Sequence, residues 1–575
     1  MLERWAEWLI PHGRYTRDIP CAILFEHPTC YGDTGLMVRE KRWGYAVWVL
    51  FIAGFAVLHA LNLRADFPNH SPWFMDWAKY TDEGWYANAA VRAHLFGNWY
   101  LPGDFNPAPA VPVWPALEWI LFCFTGVTVE AARGLAVGFF FANLGLSYLL
   151  VRARGPRWVA LLAVTLLVTN PFLYCFSRLA VLEPMLTTLT LAAMNVCVRL
   201  PRMRRPVWAA AGVGLLFTLM MLTKTTAVFL LPALGWAMLL PLWRERGTLL
   251  KCAVAAGGTF AASFGIWMAL VARAGLLGDY KYLFFVNKYP RPTEFGWPLV
   301  SFWWSFHGGL WADRILFPVA GLVVVGGAVA WRTATGRRLL VDPVFGASVL
   351  AVAGYILFMT YQDHPQPRYF AFVAVFCLIV VALGAQALFA EPDEAGERPP
   401  MRRASRRVLG WALLLLVGAA TGINSAWTLD YATHPEYTFV EAAERLTRYI
   451  DEHPNGNRLL LCVSGDEITM ATHLPTINDL FIGPSREMPD LAAKIGYYRP
   501  GWYAAWNQLD AGALEDIHSH DSVEQVMSFR AYDDPTRNVL VLFKLHPWPG
   551  GQVFDPADQQ LNRRLPADKF DIPLR

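Results

Sequence analysis

The sequence predicts an α-helical multi-span membrane protein with a small C-terminal α/β domain, and three observations carry the prediction. Of its 575 residues, 55% are hydrophobic and only 17% charged, and the mean hydropathy is +0.30, too apolar for an ordinary soluble protein. Segments near the ~20 residues that cross a bilayer recur without any Asp, Glu, Lys or Arg. Beyond Thr421 these runs stop, and turn residues punctuate shorter apolar ones.

The charge-free segments are 43–63, 134–151, 158–177, 206–223, 225–243, 253–272, 315–331, 343–362, 369–390 and 408–429, and 179–198 adds one broken only by Glu183. By length they make about eleven spans. Connectors rich in Arg and Lys at 38–42, 152–157, 199–205, 244–251, 332–338 and 398–407 are every second connector and so share one face, which the positive-inside rule puts in the cytoplasm. The register requires 113–126, with Pro112 and Pro115 at its first turn, to be an interfacial helix and not a span. Residues 1–42 hold Arg and acids without an apolar core and cleavage site, so they read as a cytoplasmic segment and not a signal peptide.

Three parts follow: 1–42 cytoplasmic, 43–427 transmembrane and 428–575 external. In the last, Thr438-Phe439-Val440-Glu441 has the form of a capping box opening a helix to about Asp451, and 458–464 and 539–545 suit buried strands. The net charge of +3 is sorted by loop, which excludes a nucleic-acid patch. The eight cysteines are scattered and form neither a disulfide framework nor a CxxC metal site.

The non-cytoplasmic face then collects the loop 64–112, the turn 177–183, Lys224, the loop 273–312, the turn 362–368 and the tail. In the first loop the tetrad Tyr80-Thr81-Asp82-Glu83 places adjacent carboxylates at a membrane surface. Two readings stand. They are first-turn acids of a helix from Gly84 to about Phe96 capped by Thr81, or one is a general base drawing a proton from an acceptor. In the second reading Asp82 is the base and Glu83 orients it or the acceptor.

Charge inside lipid costs ~2.5 to 3.5 kcal/mol on insertion scales, so Glu183 and Lys224 should face a protein-lined cavity. Arg178 and Glu183 at i,i+5 could instead satisfy each other, and Lys224 could snorkel to the interface. Arg368 with Tyr369 is either an interfacial anchor or a phosphate grip. Lys281, Lys288 and Arg291 sit among Tyr280, Tyr282, Phe284, Phe285 and Tyr289, a pattern of interfacial belts that also suits a lipid phosphate and a sugar ring. His307 and His364 lack metal-ligand spacing.

The run Thr81-Asp82-Glu83-Gly84-Trp85-Tyr86-Ala87, followed by Gly97-Asn98-Trp99-Tyr100-Leu101-Pro102 and a helix containing Pro-Trp-Pro, resembles the GT-C glycosyltransferases. The branch it resembles holds the protein O-mannosyltransferases and lipid A aminoarabinose transferases. Ser177-Arg178-Leu179-Ala180-Val181-Leu182-Glu183-Pro184 is similar to that branch's second-loop arginine-acid motif, with Glu where Asp is commoner. Leu222-Thr223-Lys224 and Pro367-Arg368-Tyr369 match later positions.

The resemblance covers roughly residues 40 to 390 and implies a sugar donor on a polyprenyl phosphate. It implies no nucleotide sugar and no soluble cofactor, and it leaves room for a divalent metal without demanding one. The acceptor class it implies is lipid, protein or glycan. Two departures stand out: Ala110-Val111-Pro112-Val113-Trp114-Pro115 replaces the family's lysine and paired prolines, and the tail's Gly501-Trp502-Tyr503-Ala504-Ala505-Trp506-Asn507 is no Trp-Trp-Asp-Tyr-Gly signature, which argues against an oligosaccharyltransferase. The expectation is a bacterial inner-membrane glycosyltransferase with Asp82 and Glu83 catalytic, and Arg178, Glu183, Lys224, Lys281, Lys288, Arg291, Arg368 and Tyr369 binding substrate. The rival classes are a flippase of lipid-linked sugars, which would favour internal repeats and midplane charges, and an envelope-assembly scaffold.

Overall fold

A computed structural model describes residues 35–66, 68, 82–101, 103–104, 106–283, 297–362, 365–389, 400–479, 490–507, 511–531 and 538–548. All eleven expected apolar segments fall on helices. Among the described residues, eight helices are each long and apolar enough to cross a membrane, and nine spans result if Pro298–Ala312 and Leu316–Arg332, bent by 120°, count as one.

Two expected spans fall short for local reasons. The segment 158–177 divides into Arg157–Val168 and Pro171–Phe176. Pro171 has no N–H to continue the first helix, and the Asn170 side chain starts a new one by accepting from the Leu173 N–H at 2.9 Å. The helix Leu182–Arg199 opens on Glu183 and carries Thr187, Thr188, Thr190 and Asn195, which dilute its apolar character.

The helix Tyr369–Phe389 is apolar all round and buried along nearly its whole length, as a helix at the centre of a bundle must be. Pro343–Gln362, Leu316–Val329 and Arg157–Val168 pack around it. The first loop adds two shorter helices that pack on each other, Asp82–Phe96 and Val113–Thr125. Asp82–Phe96 starts on two acids that favour its positive end. It stops at Gly97, whose φ of +73° lies in the left-handed region that glycine reaches at little cost.

The tail folds around strands β1 (Leu460–Leu461), β2 (Thr476–Ile477), β3 (Trp502–Trp506), β4 (Asp521–Arg530) and β5 (Val539–Pro547). They lie in the order β2-β1-β3-β5-β4, with β1 parallel to both neighbours and β5 antiparallel to β3 and β4. The expected strand 458–464 is reduced to two residues because the chain turns at once into the helix Gly465–Thr472. The period-two alternation of β3 serves two cores. Trp502, Ala504 and Trp506 pack with Phe439 and Leu446, while Tyr503 and Ala505 pack with Ile495, Ile517 and Leu101 of the first loop.

The expected capping box does not form. Thr438 is the first residue of the helix Thr438–Glu452, and Tyr437 before it caps nothing. The cap comes from the first loop instead, where Asp66 Oδ2 accepts the Phe439 N–H at 2.6 Å. Burial pushes the Asp66 carboxyl up to about 6, against the pull of Arg133, whose Nη2 lies 3.9 Å from Asp66 Oδ1.

An acid whose pKa is raised on folding stabilises the fold below its unfolded value, and that contribution is lost as pH rises through the folded one. For Asp66 the window runs from 3.8 to about 6. The unfolding temperature in detergent is therefore expected to fall across this window, and Asp66→Asn, which keeps the acceptor, flattens that part of the curve. Asp66→Ala removes the cap and costs about 1 kcal/mol. A wild-type slope retained by Asp66→Asn would assign the pH dependence elsewhere.

Candidate active site

Four ionisable side chains from four separate segments meet at the end of the bundle that carries the tail. Asp82 stands in the first turn of Asp82–Phe96 and Glu183 in the first turn of Leu182–Arg199. Lys224 separates the helix Pro206–Thr223 from the 3-10 turn Thr225–Leu230, and Arg368 immediately precedes Tyr369–Phe389. Arg368 Nε lies 3.1 Å from Asp82 Oδ2, and Lys224 Nζ donates to Glu183 Oε1. The Tyr369 ring joins the pairs, with its centroid 4.3 Å from Lys224 Nζ and 4.8 Å from Arg368 Cζ, in cation–π range.

None of the four charged residues exposes more than 6% of its surface. Lys224 therefore does not snorkel to an interface, and Arg368 is not an interfacial anchor. Two acids and two cations balance, the condition under which buried charge persists. Tyr86, one turn beyond Asp82, belongs to the same site. Burial first, then the neighbouring Asp82, push its phenol well up, so it stays a neutral hydrogen-bond donor. The sequence reading gave Tyr86 no role, although i,i+4 spacing from Asp82 was the signal for a shared helix face.

Glu83 faces elsewhere. Its carboxylate takes Arg133 Nε at 2.8 Å and Nη2 at 2.6 Å in a two-pronged pair, and also the Ala180 N–H at 2.7 Å. Arg133 Nη1 donates in turn to the Leu63 and Ala65 carbonyls at 3.1 and 2.8 Å. Glu83 thus ties the foot of the Asp82 helix to the first span's exit and to the second loop, a different task from contacting an acceptor. Arg133 was missed because it opens a long apolar helix and looks like a flanking charge.

Arg178 does not pair with Glu183. It donates to the Tyr174 hydroxyl and, at 2.6 Å, to the Asn62 carbonyl, and it lies over the Tyr174 ring at 4.6 Å. The chain between the two residues is not helical, with Val181 extended at φ −109°, ψ 166°, so helical spacing does not apply. Lys281 is exposed at the end of Leu277–Lys281. Lys288, Arg291, Thr81 and His364 lie outside the described residues, and His307 is exposed at the end of Trp297–His307. No cluster of three or more His, Cys, Asp or Glu able to hold a metal occurs among the described residues.

An apolar groove of about 480 Å³ runs along the later turns of Asp82–Phe96, lined by Ala89, Ala93, Trp99, Pro112, Trp119 and Leu270 among others. Ala89 and Ala93 follow Asp82 at i+7 and i+11, so they share its helix face, and the groove begins ~10 Å along the axis from the acid.

Removing one partner of a buried ion pair leaves the other charge uncompensated. Arg133→Met is expected to destabilise the protein by about 3 to 5 kcal/mol, read as a fall in unfolding temperature in detergent. Adding Glu83→Gln should recover part of that loss, and no recovery would show that Arg133 acts through other contacts.

No family profile matches the chain, and no curated protein sequence matches it. Among solved structures it is similar to the crystal structure of ArnT from Cupriavidus metallidurans bound to undecaprenyl phosphate, with a TM-score of 0.57 at 13% identity over 86% of this chain and 98% of that one. The same protein in the apo state gives 0.54 at 13% identity over 87% and 98%. The archaeal oligosaccharyltransferase AglB from Archaeoglobus fulgidus, in complex with an inhibitory peptide and a dolichol-phosphate, gives 0.46 at 12% identity over 90% and 75%. Over most of its own length and nearly all of theirs, this protein therefore shares the fold of the ArnT crystal structures.

Proposed function

We propose that the chain is a membrane glycosyltransferase moving one sugar from a polyprenyl-phosphate carrier to an acceptor on the periplasmic side. The observation that carries this reading is the juxtaposition of Asp82 with Lys224 and Arg368 around one aromatic ring, with an apolar groove along the later turns of the Asp82 helix. A lipid phosphate needs cations for its head and an apolar track for its tail, and both are present. That ArnT, whose fold the chain shares, was crystallised with undecaprenyl phosphate supports a carrier of this class.

In the proposed reaction the donor's phosphate takes Lys224 and Arg368 from their resting acids, which loosens Asp82 from Arg368. Asp82 then accepts the proton of the acceptor's nucleophile as that atom bonds to the anomeric carbon. The bond from the anomeric carbon to the phosphate oxygen breaks, and its electron pair stays on the phosphate. Lys224 and Arg368 hold the added negative charge in a water-poor site, where such fixed cations act most strongly. One base and direct displacement give inversion at the anomeric carbon. The chemistry calls for no soluble cofactor. The basic connectors at 38–42, 152–157, 199–205 and 244–251 support a cytoplasmic N-terminus, and an odd number of spans then carries the tail to the periplasm of an inner-membrane protein.

The test is sugar transfer from extracted polyprenyl-phosphate sugars to envelope fractions by the purified protein. Asp82→Asn is expected to lower turnover about 10²- to 10⁴-fold, the usual worth of a general base, with donor binding retained. Lys224→Ala and Arg368→Ala should weaken donor binding and turnover together. Full turnover by folded Asp82→Asn removes Asp82 from the mechanism, and no transfer by the wild type returns the flippase and scaffold readings.

A further inference from the structure

We propose that Glu467, a side chain of the tail, is a positioning residue for Asp82, so that the transfer site is complete only when the tail is docked. The inference rests on the glycosyl-transfer reading and adds to it a partner for the catalytic helix. The helix Gly465–Thr472 packs against Asp82–Phe96. The Gly84 N–H, two residues after Asp82, donates to Glu467 Oε2 at 2.8 Å. Burial first, then the neighbouring Glu83 carboxylate, push the Glu467 carboxyl well up, which favours the protonated form as a donor toward Glu83. Glu83 is itself fixed by Arg133 and the Ala180 N–H. The first turn carrying Asp82 is therefore clamped between the bundle and the tail.

The packing leaves no slack at this point. A Cβ on Gly84 would come within 2.8 Å of the Asp466 carbonyl oxygen and closer still to the Glu467 backbone nitrogen. The tail's grip continues along one stripe of the helix. Asn88 Nδ2 donates to Asp466 Oδ2 at 3.1 Å, and Arg92 Nη2 reaches Asp466 Oδ1 and Asp104 Oδ2, each at 3.0 Å. Lys494 Nζ closes the set on Asp104 at 2.8 Å. Gly84, Asn88 and Arg92 recur every four residues, whereas Asp82, Tyr86, Ala89 and Ala93 mark a face rotated by roughly 130°. The tail presses the back of the helix, and the transfer chemistry uses the front.

The experiment is steady-state sugar transfer by full-length variants, each checked for folding by its unfolding profile and gel-filtration behaviour. Glu467→Ala is expected to lower kcat about 100-fold, the cost of a misplacement of about 1 Å, with the donor KM changed less than about twofold. Glu467→Gln, which still donates to Glu83 and accepts from Gly84, should recover kcat to within about threefold of wild type. If the Ala variant does not fold, Glu467→Asp, which keeps the acid but shortens its reach, carries the same expectation. Wild-type kcat in folded Glu467→Ala or Glu467→Asp overturns the proposal, and so does a Gln variant as impaired as these. If Asp82→Asn is inactive while Glu467→Ala is active, only this inference fails. If Asp82→Asn retains full turnover, the catalytic reading itself is lost.

Discussion

Burying Arg133 is the constraint around which this structure is organised. A guanidinium taken out of water must be met by fixed acceptors, and the molecule supplies them from two segments of the chain. The first span's exit gives backbone carbonyls, the catalytic helix gives Glu83, and Asp66 stands at the edge. Glu467 approaches through Glu83. Three carboxyl groups around one cation cannot all ionise at low cost, and burial raises Asp66 and Glu467 accordingly. The hub joins bundle, first loop and tail at one point.

The cluster at Asp82 is built on the opposite logic. Its two acids match its two cations, and a single aromatic ring links the pairs. Glu83 is saturated by a two-pronged partner and an amide, and no incoming group can displace them cheaply. In the proposed reaction Arg368 and Lys224 instead exchange a carboxylate for a phosphate, one anion for another, without leaving bare charge. The two adjacent acids at 82 and 83 thus have different tasks, the proposed transfer site on one face of the turn and anchorage on the other. A helical step of 100° per residue is what separates them.

Much of this was legible in the sequence because membrane solvation is unforgiving. A charge near the end of an apolar run has few places to go, which singled out Asp82, Glu183, Lys224 and Arg368 before any coordinates. The pairings were not legible. The short spacing of Arg178 and Glu183 suggested a contact, but the extended Val181 between them turns each toward a different partner. Thr438 and Glu441 had the form of a cap, but an acid more than 370 residues away took the position. Asp466 and Glu467 look like ordinary first-turn acids, and their partners on the catalytic helix depend on tertiary docking that local pattern does not encode. The tail sheet was visible as apolar runs, whereas the two-residue length of β1 depends on where the following helix starts.

The hydrogen bond from Gly84 to Glu467 spans 383 positions of chain, and this has a bearing on biosynthesis. The ribosome delivers the helix that carries Asp82 early and the residues that clamp it late, after the last long apolar helix has left the exit tunnel. Contacts this distant in sequence close last, since the entropy of the intervening chain opposes them until everything between is in place. A half-made chain therefore holds Asp82 without the tail contact that fixes its turn.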